Sequence, residues 1–173
     1  MKRINLPLTE EIIADLRVNE KVLLTGFIYT ARDMAHKRLV DAIDSKQSLP
    51  LDLANQILFY AGPAQTPPNQ VIGSIGPTTA SRMDNYTTAL LEVGLKGCIG
   101  KGRRSSEVLA ELRKHHAIYF VAIGGVAALQ SKCVKMVEEI AYDDLGTESI
   151  KKLWVEDFPV FVGSDSYGGY IYE

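Results

Sequence analysis

Three stretches of this chain combine a helix start or a glycine loop with a cationic side chain, a pairing that suits an anion. In the first, T-A-R-D-M-A-H-K-R at 30–38, a helical reading puts Arg32, His36, Leu39 and Ile43 on one face. Arg32 and His36 then continue an apolar stripe toward the N-terminal end of the helix. A guanidinium on that side needs a partner, because burying its charge unpaired is expensive. That partner is either a distant Asp or Glu or an incoming carboxylate held by guanidinium and helix dipole together. The second stretch, S-I-G-P-T-T-A-S-R-M-D-N-Y at 74–86, repeats the design: Thr78 falls in the expected first turn, and Arg82, Tyr86 and Val93 share its face. Thr78 or Thr79 also suits a plain helix cap.

The third stretch, G-L-K-G-C-I-G-K-G-R-R-S-S at 94–106, brings backbone close to a ligand or to a neighbouring element through its glycines. Its spacing excludes the nucleotide loops. A P-loop needs Gly where Leu95 stands and Ser or Thr where Gly102 stands, and a dinucleotide fingerprint needs Gly where Ser105 stands. Lys101 is left for another anion, or for solvent. There is no H-E-x-x-H, no G-x-S-x-G and no paired-carboxylate signature. His115-His116 suits a helix C-terminus, Cys133 a core position, and Asp165 a turn.

The elements that position these residues alternate. Helices are expected over 6–16 (Thr9 capping), 31–44, 76–93 (ended by Gly94) and 105–115, with a small-residue helix from about Gly125. Strands are expected over 22–29, 56–61, 70–75, 96–99, 117–123, 137–142, 153–155, 160–163 and 170–172. Prolines make 62–69 a loop. Adjacent strand pairs at both ends of an alternating chain predict an α/β fold with a mixed sheet, organised as one domain over 1–173.

Composition narrows the chemistry. The chain has 173 residues, 46% of them hydrophobic and 23% charged, a folded profile. With 19 basic against 21 acidic side chains, it lacks the basic surplus that nucleic acid or an anionic membrane requires. No apolar run approaches the roughly 18–20 residues of a membrane span, and the first residues, basic but with no continuous apolar stretch after them, are not expected to act as a secretory signal. Two lone cysteines, Cys98 and Cys133, fit a reducing cytoplasm. An iron–sulfur cluster or structural zinc needs about three or four good ligands, so any such metal must come mostly from elsewhere.

Taken in order, L-T-G-x-x-x-T-A-R-D-M-A-H-K-R, Y-A-G-P, G-S-I-G-P-T-T-A-S-R-M-D and G-K-G resemble the β subunit of two-subunit class I fumarases and L-tartrate dehydratases, equivalent to the C-terminal domain of single-chain class I fumarases. The resemblance implies a swivelling β/β/α domain paired with an α subunit that carries a 4Fe-4S cluster. It implies reversible hydration of fumarate to L-malate, with L-tartrate dehydration or non-catalytic dicarboxylate binding as alternatives. Fumarate is expected as the commoner substrate of stand-alone pairs. Arg32, Arg82 and Lys101 match the family's substrate-binding cations, Thr78 its proton-transferring residue, and His36 a histidine that positions Arg32 or lines the site. Ala31 and Ala35 stand where relatives often carry Cys. The expected assembly is a hetero-oligomer, or a homodimer when the chain is isolated.

Overall fold

The structure is a computed structural model that describes residues 1–122 and 127–173. In chain order the elements are β1 (Lys2–Asn5), α1 (Glu10–Asp15), β2 (Lys21–Thr30), α2 (Asp33–Asp44), β3 (Ile57–Phe59), a 3₁₀ turn (Ala80–Met83), α3 (Asp84–Glu92), β4 (Gly97–Gly100), α4 (Ser106–Lys114), β5 (Ile118–Val121), α5 (Ala127–Lys132), β6 (Val134–Ala141), a second 3₁₀ turn (Asp143–Glu148) and β7 (Ile150–Ser164).

The five strands β1 to β5 run parallel to their neighbours, and β7 pairs antiparallel with β2, β5 and β6. Because β2 bonds to both β3 and β7, the strands β2-β3-β4-β5-β7 close into a barrel, with β1 and β6 appended. This is the mixed α/β sheet expected from the alternation of elements. The short parallel strands β3, β4 and β5 are buried on both faces, as parallel strands must be. Ile57, Phe59, Ile99, Ile118 and Phe120 point to an inner cluster with Leu24, Ile28, Leu153 and Phe158. Leu58, Cys98, Tyr119 and Val121 point outward, to a second cluster with Leu39 of α2, Leu90 of α3 and Leu112 of α4. Thr9 caps α1, its hydroxyl accepting from Ile12 N at 3.2 Å, and Ser105 caps α4 in the same way.

Four expectations are corrected. Residues 70–75 form no strand: Ile72 and Ile75 enter the inner cluster, but the segment's one ladder-like bond is Ala64 N to Ser74 O at 2.8 Å. Alternation supplied the buried positions without a sheet edge to pair with. The segments 153–155 and 160–163 belong to one fifteen-residue strand, β7. It passes through Asp157, at φ 49°, and Pro159 without ending, because β2 bonds to it on both sides of that kink. Residues 170–172 contribute only an isolated bridge from Tyr170 to Ser164. The helix expected from Gly76 starts only at Ala80. The expected ends at Ile123 and Gly125 lie outside the described residues. The unexpected β1 pairs Lys2–Asn5 with 22–25 of β2. Asp165 has the turn role, accepting from Val18, Tyr167 and Gly169 amides at 2.9 Å each.

Gly26 marks the irregular point of β2, where the register against β7 shifts. Its φ is +138°, and a Cβ there would lie 2.7 Å from Leu6 Cβ. Gly26→Ala therefore combines strain with a backbone-adjacent clash. Urea unfolding is expected to show a loss of about 2–4 kcal/mol at unchanged m-value; a loss below about 0.5 kcal/mol would contradict this packing.

Candidate functional site

Parallel pairing carries β2, β3 and β4 out of the barrel at one end, and the candidate residues stand just past those ends. Arg32 is the N-cap residue of α2, two positions beyond β2, in extended conformation. Lys101 follows β4 directly. Thr78 lies before the helix and not in its first turn: its N–H donates to Tyr60 O at 2.7 Å and its carbonyl accepts from Lys101 N at 3.3 Å. Ala80 N then donates to Lys101 O at 2.9 Å. The 78–80 segment thus lengthens the sheet beside β4, which spends Thr78's backbone groups on strand-like bonds. Gly100 permits that approach, since a Cβ there would lie 2.9 Å from both Ala80 Cβ and Tyr60 Cδ2.

Arg82, in the 3₁₀ turn, donates from Nε to Asp33 Oδ2 at 3.0 Å and pairs with the same oxygen through Nη2 at 3.0 Å. This ties the start of α3 to the start of α2. The Arg82 side chain remains 51% exposed. The Lys101 residue is exposed. Arg32 lies against Gly62, where a Cβ would sit 3.2 Å from Arg32 Cδ, and it makes no ion pair among the described residues. The structural ion pair considered for Arg32 belongs instead to its neighbour Asp33.

His36 is fully buried on the inward face of α2, its ring edge-on to Tyr60 at 5.2 Å. Burial pushes its pKa down to about 4, against the opposing effect of its bond to Arg32 O at 2.8 Å. Neutral near pH 7, the ring donates from Nδ1 to that carbonyl, which makes Nε2 the acceptor. Three buried polar atoms without a hydrogen-bond partner among the described residues fall in this corner: Arg32 Nε, Asp33 Oδ1 and His36 Nε2. Buried polar atoms are ordinarily satisfied, so their concentration at one helix start marks a surface prepared for something polar. The second 3₁₀ turn covers its flank, with Glu148 Oε1 accepting from Met34 N at 3.4 Å and Asp144 accepting two bonds from Arg38.

Two contributors carried no signal in the sequence. Asp33 sits inside a quoted motif but is separated from Arg82 by 49 positions. Arg104 is wholly buried and bonds to Asp84 Oδ1 at 2.7 Å. Both depend on tertiary pairing, which local spacing does not reveal. Among the described residues no cluster of three or more His, Cys, Asp or Glu could hold a metal. Cys98 is buried within bonding distance of Arg104, and Cys133 donates to the carbonyls of Leu129 and Asp157. These two thiols do not fit an iron–sulfur ligand set.

The family described as Fumarase C-terminus matches residues 1–173. The chain is 42% identical over 164 residues to "Fumarate hydratase class I, anaerobic" of Escherichia coli, covering 92% of this chain and 30% of that protein. It is 39% identical over 157 residues to "Fumarate hydratase 2" of Leishmania major, covering 90% and 28% respectively. It is 37% identical over 172 residues to "Putative L(+)-tartrate dehydratase subunit beta" of Methanocaldococcus jannaschii, covering 96% of this chain and 88% of that one. The chain thus spans under a third of the length of these fumarate hydratases and most of the tartrate dehydratase subunit. By the match over its whole length and by these relatives, the chain belongs to the fumarase C-terminus family.

Proposed function

We propose that this chain is the β-type half of a hydro-lyase that reversibly hydrates fumarate to L-malate, in a site completed by an α subunit. The observation that carries the reading is the placement of Arg32, Thr78, Arg82 and Lys101 along one end of a parallel sheet, next to three unsatisfied buried polar atoms. A relative matched over 88% of its length and named subunit beta supports the companion chain. The 4Fe-4S cluster belongs, in this reading, to that companion.

The chain's own residues supply the carboxylate clamp. Removing a proton from the carbon beside a carboxylate shifts negative charge onto that carboxylate. Fixed cations there stabilise the transition state more than the ground state. Arg32 and Arg82 have guanidinium forks suited to carboxylate oxygens, and Lys101 adds a point charge. The Asp33 contact orients Arg82 through Nε and Nη2. Thr78, anchored through both backbone groups, is the proton-transferring residue in this reading: as its alkoxide it accepts the proton lost from carbon and becomes the hydroxyl, and it returns that proton in the reverse direction. An alkoxide is too basic to form near neutral pH without the neighbouring cations. His36 moves no proton near neutral pH: it holds the Arg32 carbonyl and so positions Arg32. The two cysteines, which form no disulfide, accord with a cytoplasmic setting. The tartrate dehydratase name of the length-matched relative favours a second reading, L-tartrate as substrate of the same clamp.

Co-production with the companion chain tests both readings, by assaying fumarate hydration and L-tartrate dehydration side by side. Arg82→Ala is expected to lower kcat/KM by 10²–10³-fold, about 3–4 kcal/mol. Its half-exposed ion pair is worth under about 1 kcal/mol, so the fold should persist. Unchanged kcat/KM, or full activity from the isolated chain, would overturn the proposal.

His36 gives a linkage test. Its folded pKa of about 4 lies below the ordinary 6.5, so the unfolded chain binds the proton first as pH falls. Its contribution is complete above about pH 6.5 and is lost toward pH 4, a swing of about 3 kcal/mol. Thermal unfolding of the wild type should therefore weaken more steeply over that window than that of His36→Asn. Parallel pH profiles would contradict a buried neutral imidazole.

A further inference from the structure

Arg104 lies in the connection from β4 to α4, and its side chain is wholly buried. Every nitrogen of its guanidinium is engaged. Nε donates to Asp84 Oδ1 at 2.7 Å, Nη2 to Thr87 Oγ1 at 2.8 Å, and Nη1 to Tyr60 OH and Cys98 Sγ at 3.3 Å each. Its charge also faces the rings of Tyr60 and Tyr119, at 5.3 and 5.1 Å. The second Asp84 oxygen accepts from Ser105 N at 2.9 Å.

Burying such a pair stabilises little, since well-packed apolar groups would serve as well or better. Its value must lie in what it holds at fixed spacing. Two of these contacts, Asp84 and Tyr60, lead to candidate site residues. Asp84 stands two positions after Arg82. The Tyr60 carbonyl accepts the Thr78 amide. Lys101 stands three positions before Arg104, and its backbone is bonded to Thr78 and Ala80. One rigid planar fork therefore joins the start of α3, just after Arg82, to Tyr60, which holds the Thr78 amide, and to Cys98 of β4, the strand that leads into Lys101.

We propose that Arg104 is a positioning residue of the active site: its guanidinium, bonded to Asp84, Thr87 and Tyr60, sets the spacing of Arg82, Thr78 and Lys101 without touching substrate. The proposal rests on the hydro-lyase reading above. A lysine retains the charge but cannot reach Asp84, Thr87 and Tyr60 together.

The test uses the assembled pair of chains and measures kcat and KM for fumarate hydration per folded complex, with thermal unfolding in parallel. Arg104→Lys should lower kcat at least tenfold with KM changed less than threefold. Thr87→Val, nearly isosteric and without the hydroxyl, should lower kcat at least threefold, and Thr87→Ser should restore it. A merely structural role would lower the unfolding temperature and leave kcat and KM of the folded complex unchanged in every variant, which would overturn the inference. Should Arg104→Lys fail to fold, the Thr87→Val and Thr87→Ser comparison decides. A wild-type pair without hydration or dehydration activity would instead refute the hydro-lyase reading.

Discussion

Parallel pairing of β2, β3 and β4 is the constraint from which the site follows. Parallel neighbours must end on the same side, so the connections after Thr30, Phe59 and Gly100 all leave the barrel together. Antiparallel hairpins would have scattered the same residues between two ends. The pairing continues past the named strands, because Thr78 bonds to Tyr60 and Lys101, and Ala80 bonds to Lys101. Residues 46 positions apart in sequence, Arg32 and Thr78, thereby come to one rim. β7 runs the opposite way, so the 3₁₀ turn that precedes it reaches the same end and packs on the start of α2. Binding at the carboxyl ends of parallel strands is where α/β folds expose adaptable loops on a rigid frame.

The arginines there differ in how completely their charge is spent. Arg104 is buried with each nitrogen bonded, and serves the framework. Arg82 is half exposed, with Asp33 holding one edge of its guanidinium. Arg32 has no ion pair among the described residues and a buried Nε without a partner. An electrostatic clamp works best when its cations are held by the frame before the ligand arrives, because no reorganisation is then needed as charge develops. Arg82, fixed by Asp33, meets that condition, whereas Arg32 is held only through its backbone carbonyl. His36, neutral, supplies that bond from within the core.

Much of this was legible in the chain, for reasons that can be named. The Thr9 cap, the β-branched run of β2, the helix over α2 and the apolar run of β5 are local signals and appear where expected. Arg32, Thr78, Arg82 and Lys101 drew notice because sequence punctuation marks helix starts and glycine loops; of these, Arg32 stands two positions past β2 and Lys101 directly past β4. What local pattern could not supply is partnership. Gly76-Pro77 reads as a helix start, yet Thr78 is drawn into sheet pairing by Tyr60 and Lys101. Asp157 and Pro159 read as a break, yet β2 bonds across them. The pairing of Arg104 with Asp84 joins residues 20 positions apart, and neither charge announces the other. Family resemblance carried the roles, which no spacing contains.

In the proposed reading, Arg32, Arg82 and Lys101 together grip one dicarboxylate in the assembled enzyme. A crystal structure of the two-chain complex with L-malate bound tests it most directly. The ligand's carboxylate oxygens are then expected within hydrogen-bond distance of both guanidinium groups and the Lys101 amine, with the Thr78 hydroxyl facing the carbon that loses its proton. Malate seated elsewhere, with those three cations directed into solvent, would contradict it.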